Sequence, residues 1–250
     1  MSNRNVSFHG VAMSYQDGRL VGVGPGAKQP IVDMAWQLLN EWDRVLVGGG
    51  GLGYTATRIA AIAAYTLVYE ANPLLAEIVR AGVTVEGGGE FKVRDAALGE
   101  RDGFTTLAMS SGADWQQARI ADLPGVKPQK GIAQMMQVRC DDINRIIKKQ
   151  EINALALDVE GAEHALIHGL SDAAWGWLDK ILLELHTINL ADEGASVRQC
   201  LADRGFVEVR SDVYFTTASL TDLRPTAQIR GRYLGYVHQR RLLPASAIVE

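Results

Sequence analysis

Between an apolar strand and a helix the chain carries Gly48-Gly49-Gly50-Gly51-Leu52-Gly53. Without Cβ atoms the backbone there can approach a ligand closely, and amides at the start of the next helix can face it, so a nucleotide-like ligand is expected. Two registers fit. Gly48, Gly50 and Gly53 give the G-x-G-x-x-G spacing of a dinucleotide site, while Gly49, Gly51 and Gly53 give G-x-G-x-G. Glu70 ends the next strand, where a carboxylate can accept hydrogen bonds from both hydroxyls of a ribose. It suits either nucleotide class and identifies no reaction. Asp95 ends a third strand and is followed by Ala96-Ala97-Leu98-Gly99, so an acceptor for an adenine amino group would have small neighbours that admit the ring.

These residues need a frame of strand ends. Residues 6–24 read as short strands around Gln16-Asp17-Gly18, ahead of a loop with Gly22, Gly24, Pro25 and Gly26. A helix follows Pro30, with Ile31, Ala35, Leu38, Leu39 and Trp42 as its apolar stripe. Strand 45–47, helix 55–64, strand 67–69, a helix 74–80 with Asn72 as N-cap, and strand 91–94 come next. From 98 to 155 this rhythm breaks into strands 105–109 and 135–139, predicting an irregular, substrate-facing insertion at about 100–135. Helix 143–149, strand 154–157, helix 162–168 closed by Gly169, strand 181–185, helix 196–203 and strands near 207–209, 213–216 and 233–237 complete the order. Strand–helix alternation predicts an α/β fold: a parallel sheet flanked by helices, with ligands at the carboxyl ends of its strands.

The 250 residues suit one such domain, and 47% hydrophobic and 22% charged residues with a mean hydropathy of -0.01 are those of an ordinary globular chain. A net charge of -4 argues against nucleic acid as partner, the local excess of Arg224, Arg230, Arg232, Arg240 and Arg241 being read as a solvated face. Cys140 and Cys200 form neither a disulfide framework nor a metal motif. With no apolar leader and no run long enough to span a bilayer, a cytoplasmic location without membrane contact is expected. Homodimerisation is compatible with the sequence.

A more specific pattern lies downstream. Val138-Arg139-Cys140-Asp141-Asp142-Ile143, then Ala156-Leu157-Asp158-Val159-Glu160-Gly161-Ala162-Glu163 and His168-Gly169, resemble the signature of the FkbM family of S-adenosylmethionine-dependent O-methyltransferases. Tyr69-Glu70-Ala71-Asn72-Pro73 resembles the family's Glu-Pro-Asn-Pro element, Ala96-Ala97-Leu98-Gly99 its Ala-Leu-Gly turn, and Leu183-Glu184-Leu185-His186 its fifth-strand motif. The resemblance spans roughly residues 45–190 in the family's order. It implies a Rossmann-like class I methyltransferase with a mostly parallel seven-stranded sheet, a small N-terminal β lead-in or cap at 1–30 and a methyltransferase domain over 31–250. The implied cofactor is S-adenosylmethionine, held by Gly49, Gly51, Gly53, Glu70, Asp95, Ala96 and Asp158, and the implied acceptor is a hydroxyl on a small molecule, sugar or natural-product intermediate. Two positions depart: Val47 stands where class I methyltransferases usually carry an acid, and Ala71 replaces the first proline after the ribose acid. The former also resembles the glycine loops of aminopropyltransferases, which use decarboxylated S-adenosylmethionine, but the Asp158-Val159-Glu160-Gly161 run has the FkbM form.

Methyl transfer is an in-line displacement, so placement dominates, and an alcohol acceptor must also lose its proton. Asp158 and Glu160 follow the fourth strand beside the expected methyl position, and His186 follows the fifth with an unperturbed pKa near ~6.5 that suits a base. These three are the candidate catalytic residues. Glu160, His164 and His168 recur at i, i+4 and i+8, but helical spacing alone makes such rows common, and no metal is assigned to them. Trp115, Trp175 and Trp177 could wall an acceptor pocket. The rival activity is a NAD-dependent oxidoreductase using the other glycine register, for which no Tyr-x-x-x-Lys pair is present, and the rival of another class is a nucleotide-binding protein without catalysis.

Overall fold

A computed structural model describes residues 5–8, 11–16, 19–21, 29–86, 89–110, 118–121, 132–186, 193–215 and 229–238. The chain opens with β1 (Asn5–Phe8), β2 (Val11–Gln16), β3 (Arg19–Val21) and α1 (Gln29–Leu38). Pro30 lies in the first turn of α1, where its missing N–H has no intrahelical partner to lose. Ile31, Met34 and Ala35 supply the buried stripe, but Trp42 is 78% exposed. The helix has already stopped at Leu38, and Asn40 redirects the chain by accepting from the Trp42 amide (3.0 Å) and donating its own to Asp43 (2.6 Å).

Then come β4 (Arg44–Gly48), α2 (Tyr54–Ala60), β5 (Tyr65–Glu70), α3 (Pro73–Gly82), β6 (Val83–Glu86) and β7 (Glu90–Asp95). The Asn72 side chain caps α3 through the Leu74 amide at 3.0 Å, as its position before Pro73 predicts. Next are β8 (Ala97–Gly99), β9 (Gly103–Ser110), β10 (Ala118–Ile120), β11 (Ile132–Asp142) and α4 (Ile143–Gln150), which Asp142 caps through the Asn144 amide at 2.9 Å. β12 (Ala154–Leu157), α5 (Glu163–His168), α6 (Asp172–Trp175), β13 (Lys180–Leu185), α7 (Glu193–Asp203), β14 (Phe206–Phe215) and β15 (Ile229–His238) follow.

The fold is Rossmann-like α/β. Its seven-stranded sheet has the order β14-β15-β13-β12-β4-β5-β7, in which β13, β12, β4, β5 and β7 are mutually parallel and β15 is reversed. Alternation sends Leu46, Leu155, Leu157, Ile181 and Leu183 to one face, under α4, α5 and α7, and Val45, Val47, Ala154, Ala156 and Leu182 to the other, under α1 and α2. Strand order reverses between β4 and β12, which opens a crevice at their carboxyl ends. At the opposite end Lys180 Nζ meets Asp43 at 2.6 Å, and Asn153 Nδ2 donates to the same carboxylate at 2.9 Å.

Three expectations change. The N-terminal strands do not form a unit of residues 1–30 alone, because β1 pairs antiparallel with β6, giving a sheet β3-β2-β1-β6. The strands expected at 105–109 and 135–139 are present as β9 and β11, but the segment between them, expected to be irregular, also contains β10, and these three join β8 in a second sheet of order β10-β9-β11-β8. Pairing across residues remote in sequence, not local propensity, selects these strand partners. The strands expected at 207–209 and 213–216 are one strand, β14, whose register against β15 shifts between Glu208 and Arg210. Among the described residues, no helix is long and apolar enough to cross a membrane.

Candidate functional site

A cavity of about 350 Å³ occupies the crevice, bounded by the glycine loop, the ends of β5 and β12, the start of α2, and Leu107, Ala118 and Ile120 of the second sheet. The loop's conformation decides between its two registers. Gly49, Gly51 and Gly53 have φ of +83°, +52° and +93°, in the left-handed region that favours glycine. Gly48 and Gly50 are needed for space instead, since a Cβ there would lie 2.9 Å from Leu157 Cδ2 or Val68 Cγ1. The backbone itself therefore requires glycine in the G-x-G-x-G register.

Glu70 is buried at the end of β5 and ties the loop down: one carboxylate oxygen accepts from the Gly51 amide at 2.7 Å, the other from the Asn72 amide at 2.8 Å. Burial pushes its pKa up, against the lowering effect of these two amides. Each oxygen keeps a further lone pair, and Glu70 lines the cavity, so it can still accept from a ribose. Ala96 also lines the cavity, with Ala97 and Leu98. Asp95 does not: its carboxylate is 64% exposed and lies 3.7 Å from Arg80 on the outer side of α3. Val47 packs in the core beneath α1 and α2 and is absent from the cavity lining.

The Asp-x-Glu-Gly-x-Glu run forms a tight turn after β12. Asp158 and Glu160 both line the cavity, and Glu160 itself has φ +52°. The turn is closed by Glu163 in the first turn of α5, which accepts from the Val159 amide at 2.9 Å and the Gly161 amide at 3.1 Å. Fully buried, Glu163 also meets His186 Nδ1 at 3.0 Å, while His186 Nε2 lies 3.6 Å from both Glu160 Oε2 and Glu184 Oε1. Sequence reading passed over Glu163 and Glu184 as site members, although both stand in the motifs that carried the resemblance.

This environment corrects the expected role of His186. Burial opposes a charge on the ring, yet Glu163, by charge and hydrogen bond, and then Glu160 and Asp158 by charge, raise its pKa from 6.5 to about 10. A ring that holds its proton this firmly is a poor proton acceptor at neutral pH, which argues against the expected role of base. The row of Glu160, His164 and His168 likewise fails to form, because α5 starts only at Glu163. His164 and His168 stack on each other at 4.3 Å, and His168 Nε2 pairs with Ser196 Oγ at 2.9 Å.

Of the tryptophans, Trp175 packs edge-on against Phe206 in the core and Trp177 is exposed, so neither lines the cavity; Trp115 lies outside the described residues. So do the side chains of Arg224, Arg230, Arg232, Arg240 and Arg241. One cation was missed: Arg58 on α2 is buried and lines the cavity. The Asp141-Asp142 pair of the motif is structural, since Asp141 accepts from Tyr69 Oη at 3.0 Å and Asp142 is the α4 cap.

No protein-family model matches the chain, and no curated protein matches it significantly. Solved structures similar to it include a methyltransferase FkbM from Methylobacillus flagellatus KT, 11% identical over 79% of this chain with a TM-score of 0.46. The matched region is 45% of that protein's length. Another is magnesium protoporphyrin IX methyltransferase from Synechocystis PCC 6803 with bound S-adenosylmethionine, 14% identical over 87% of this chain and 86% of that one, TM-score 0.45. A protein of the NADB-Rossmann superfamily from Streptococcus agalactiae is 11% identical over 86% and 69% of the two chains, TM-score 0.44.

Proposed function

We propose that this chain is an S-adenosylmethionine-dependent methyltransferase of FkbM type, acting in the cytoplasm on a hydroxyl of a small molecule, sugar or natural-product intermediate. The observation that carries this reading is the charge of the cavity: among the described residues, Glu70, Asp158 and Glu160 line it against the single cation Arg58. An acidic, partly desolvated lining favours a ligand bearing a sulfonium and an ammonium. It disfavours the pyrophosphate of a dinucleotide, all the more because the Gly51 amide, which would face a phosphate, is occupied by Glu70.

When bound, S-adenosylmethionine supplies an electrophilic methyl group on a sulfonium sulfur. Glu70 accepts from the ribose, Ala96, Ala97 and Leu98 offer an apolar wall to the adenine, and Arg58 offers a cation to the carboxylate of the amino-acid end. Asp158 and Glu160, on a turn held rigid by Glu163, face the acceptor and take its proton. The apolar walls formed by Leu107, Ala118 and Ile120 exclude water.

Parallel calorimetric titrations with S-adenosylhomocysteine, S-adenosylmethionine and NAD test the reading. Binding of the two sulfur nucleotides is expected. Binding of NAD without either of them would replace it by the oxidoreductase reading.

A further inference from the structure

We propose that Asp158, Glu160, Glu184 and His186 form a binding site for one divalent transition-metal cation at the edge of the cavity. No sequence spacing announces it, because Asp158 and Glu160 come from the turn after β12, while Glu184 and His186 come from the end of β13 and the residue after it. Side-chain ligand atoms of Asp158, Glu184 and His186 all lie within 4.8 Å of one another. His186 Nε2 is 3.6 Å from Glu184 Oε1 and 3.6 Å from Glu160 Oε2, beyond ordinary hydrogen-bond length. Atoms bound at about 2.0–2.2 Å to one cation stand roughly 3–4 Å apart, so the 3.6 Å separations already match the edges of a coordination polyhedron, and the widest must contract by about 1 Å.

The second observation is the way the ring is held. His186 Nδ1 is engaged by Glu163, a fully buried carboxylate that is itself fixed by the Val159 and Gly161 amides. A carboxylate on the far nitrogen of a ligating histidine is the arrangement that orients the ring and makes the other nitrogen a better donor, and a cation that binds Nε2 displaces the proton of the imidazolium into solvent. Here it directs Nε2 towards two carboxylates instead of solvent or backbone. The cluster gathers four carboxylates around one imidazole in a place where His186, Glu184 and Asp158 are all buried, and a +2 ion among them offsets repulsion that water is not there to screen. One nitrogen with several carboxylate oxygens suits Mn²⁺, Fe²⁺ or Zn²⁺ better than Ca²⁺. Because Asp158 and Glu160 also line the cavity, the ion would border the space where a hydroxyl acceptor enters. The inference stands apart from methyl transfer, since its readout is the ion itself.

The full chain, stripped with EDTA and dialysed, is titrated with MnCl₂ while the electron paramagnetic resonance of the free aqua ion is followed. Wild type is expected to remove one equivalent saturably. Glu184→Gln and His186→Gln should each weaken binding more than tenfold, and Glu163→Gln, which removes no ligand, about 10- to 100-fold. A measurement that needs no variant is the proton spectrum of wild type, where substoichiometric Mn²⁺ should broaden the His186 ring signals before those of His164 and His168. Absence of a saturable equivalent, wild-type affinity in folded Glu184→Gln and His186→Gln, or broadening that spares His186 would each overturn the proposal.

Discussion

Replacing Gly49 by alanine should be far more costly to the fold than the same change two residues later. At Gly49 the backbone has φ +83°, and a Cβ would sit 1.7 Å from the Asp158 carbonyl oxygen and 2.7 Å from its carbon. The obstacle is backbone, pinned in turn by the Asp158 amide donating to Gly48 O at 2.9 Å, so no side-chain rotation relieves it. The left-handed conformation costs an L-residue about 1–2 kcal/mol and overpacking a rigid site about 1–3 more, for a total of roughly 2–5 kcal/mol. At Gly51, with φ +52° and nothing within 4 Å of the added atom, only the conformational cost of about 1–2 kcal/mol applies. Urea unfolding read by circular dichroism gives both values from the midpoint shift, provided the slope is unchanged. Gly51 lines the cavity, so an added methyl group there should lower S-adenosylhomocysteine affinity at least tenfold in a protein that remains folded. A Gly49→Ala variant unfolding at the wild-type midpoint would refute the packing argument, and unimpaired binding by Gly51→Ala would place the ligand away from the loop.

Glu70→Ala should weaken S-adenosylhomocysteine by ~2 kcal/mol, the size of a charge-assisted hydrogen bond, measured by calorimetry. Because burial raises the Glu70 pKa above 4.5, wild-type affinity should hold above that raised value and decline as pH falls through it, earlier than for an ordinary carboxylate; Glu70→Gln should abolish this dependence. Asp158→Asn should lower turnover by about 10²- to 10⁴-fold while changing S-adenosylhomocysteine affinity less than tenfold, since its carboxylate is assigned to the acceptor. Equal losses in both would assign it to the cofactor instead. Lys180→Met removes the cationic partner of the buried Asp43 at the far end of the sheet, leaving it only the neutral donors Asn153 and the Asn40 amide, and should cost about 3–5 kcal/mol in urea unfolding without altering ligand affinity.

What the sequence determines by itself is local. The strand before Gly48, the helix cap at Asn72 ahead of Pro73 and the acid at the end of β5 are legible because each depends on residues within a few positions: an alternation, a capping side chain, a strand end. The Asp158 to Glu163 motif is legible for the same reason. Only the tertiary structure decides what those pieces face. It selects the glycine register through the φ values that the folded loop adopts at Gly49, Gly51 and Gly53, and it turns Asp95 outward towards Arg80. It also recruits β6 to the N-terminal strands, since strand partners are chosen by long-range pairing that no window of sequence contains. Most of all it decides the state of His186, whose proton is held by Glu163, Glu160 and Asp158, all more than twenty residues away in sequence. A pKa is a sum over nearby charges and burial, and proximity of that kind exists only once β12 and β13 lie side by side.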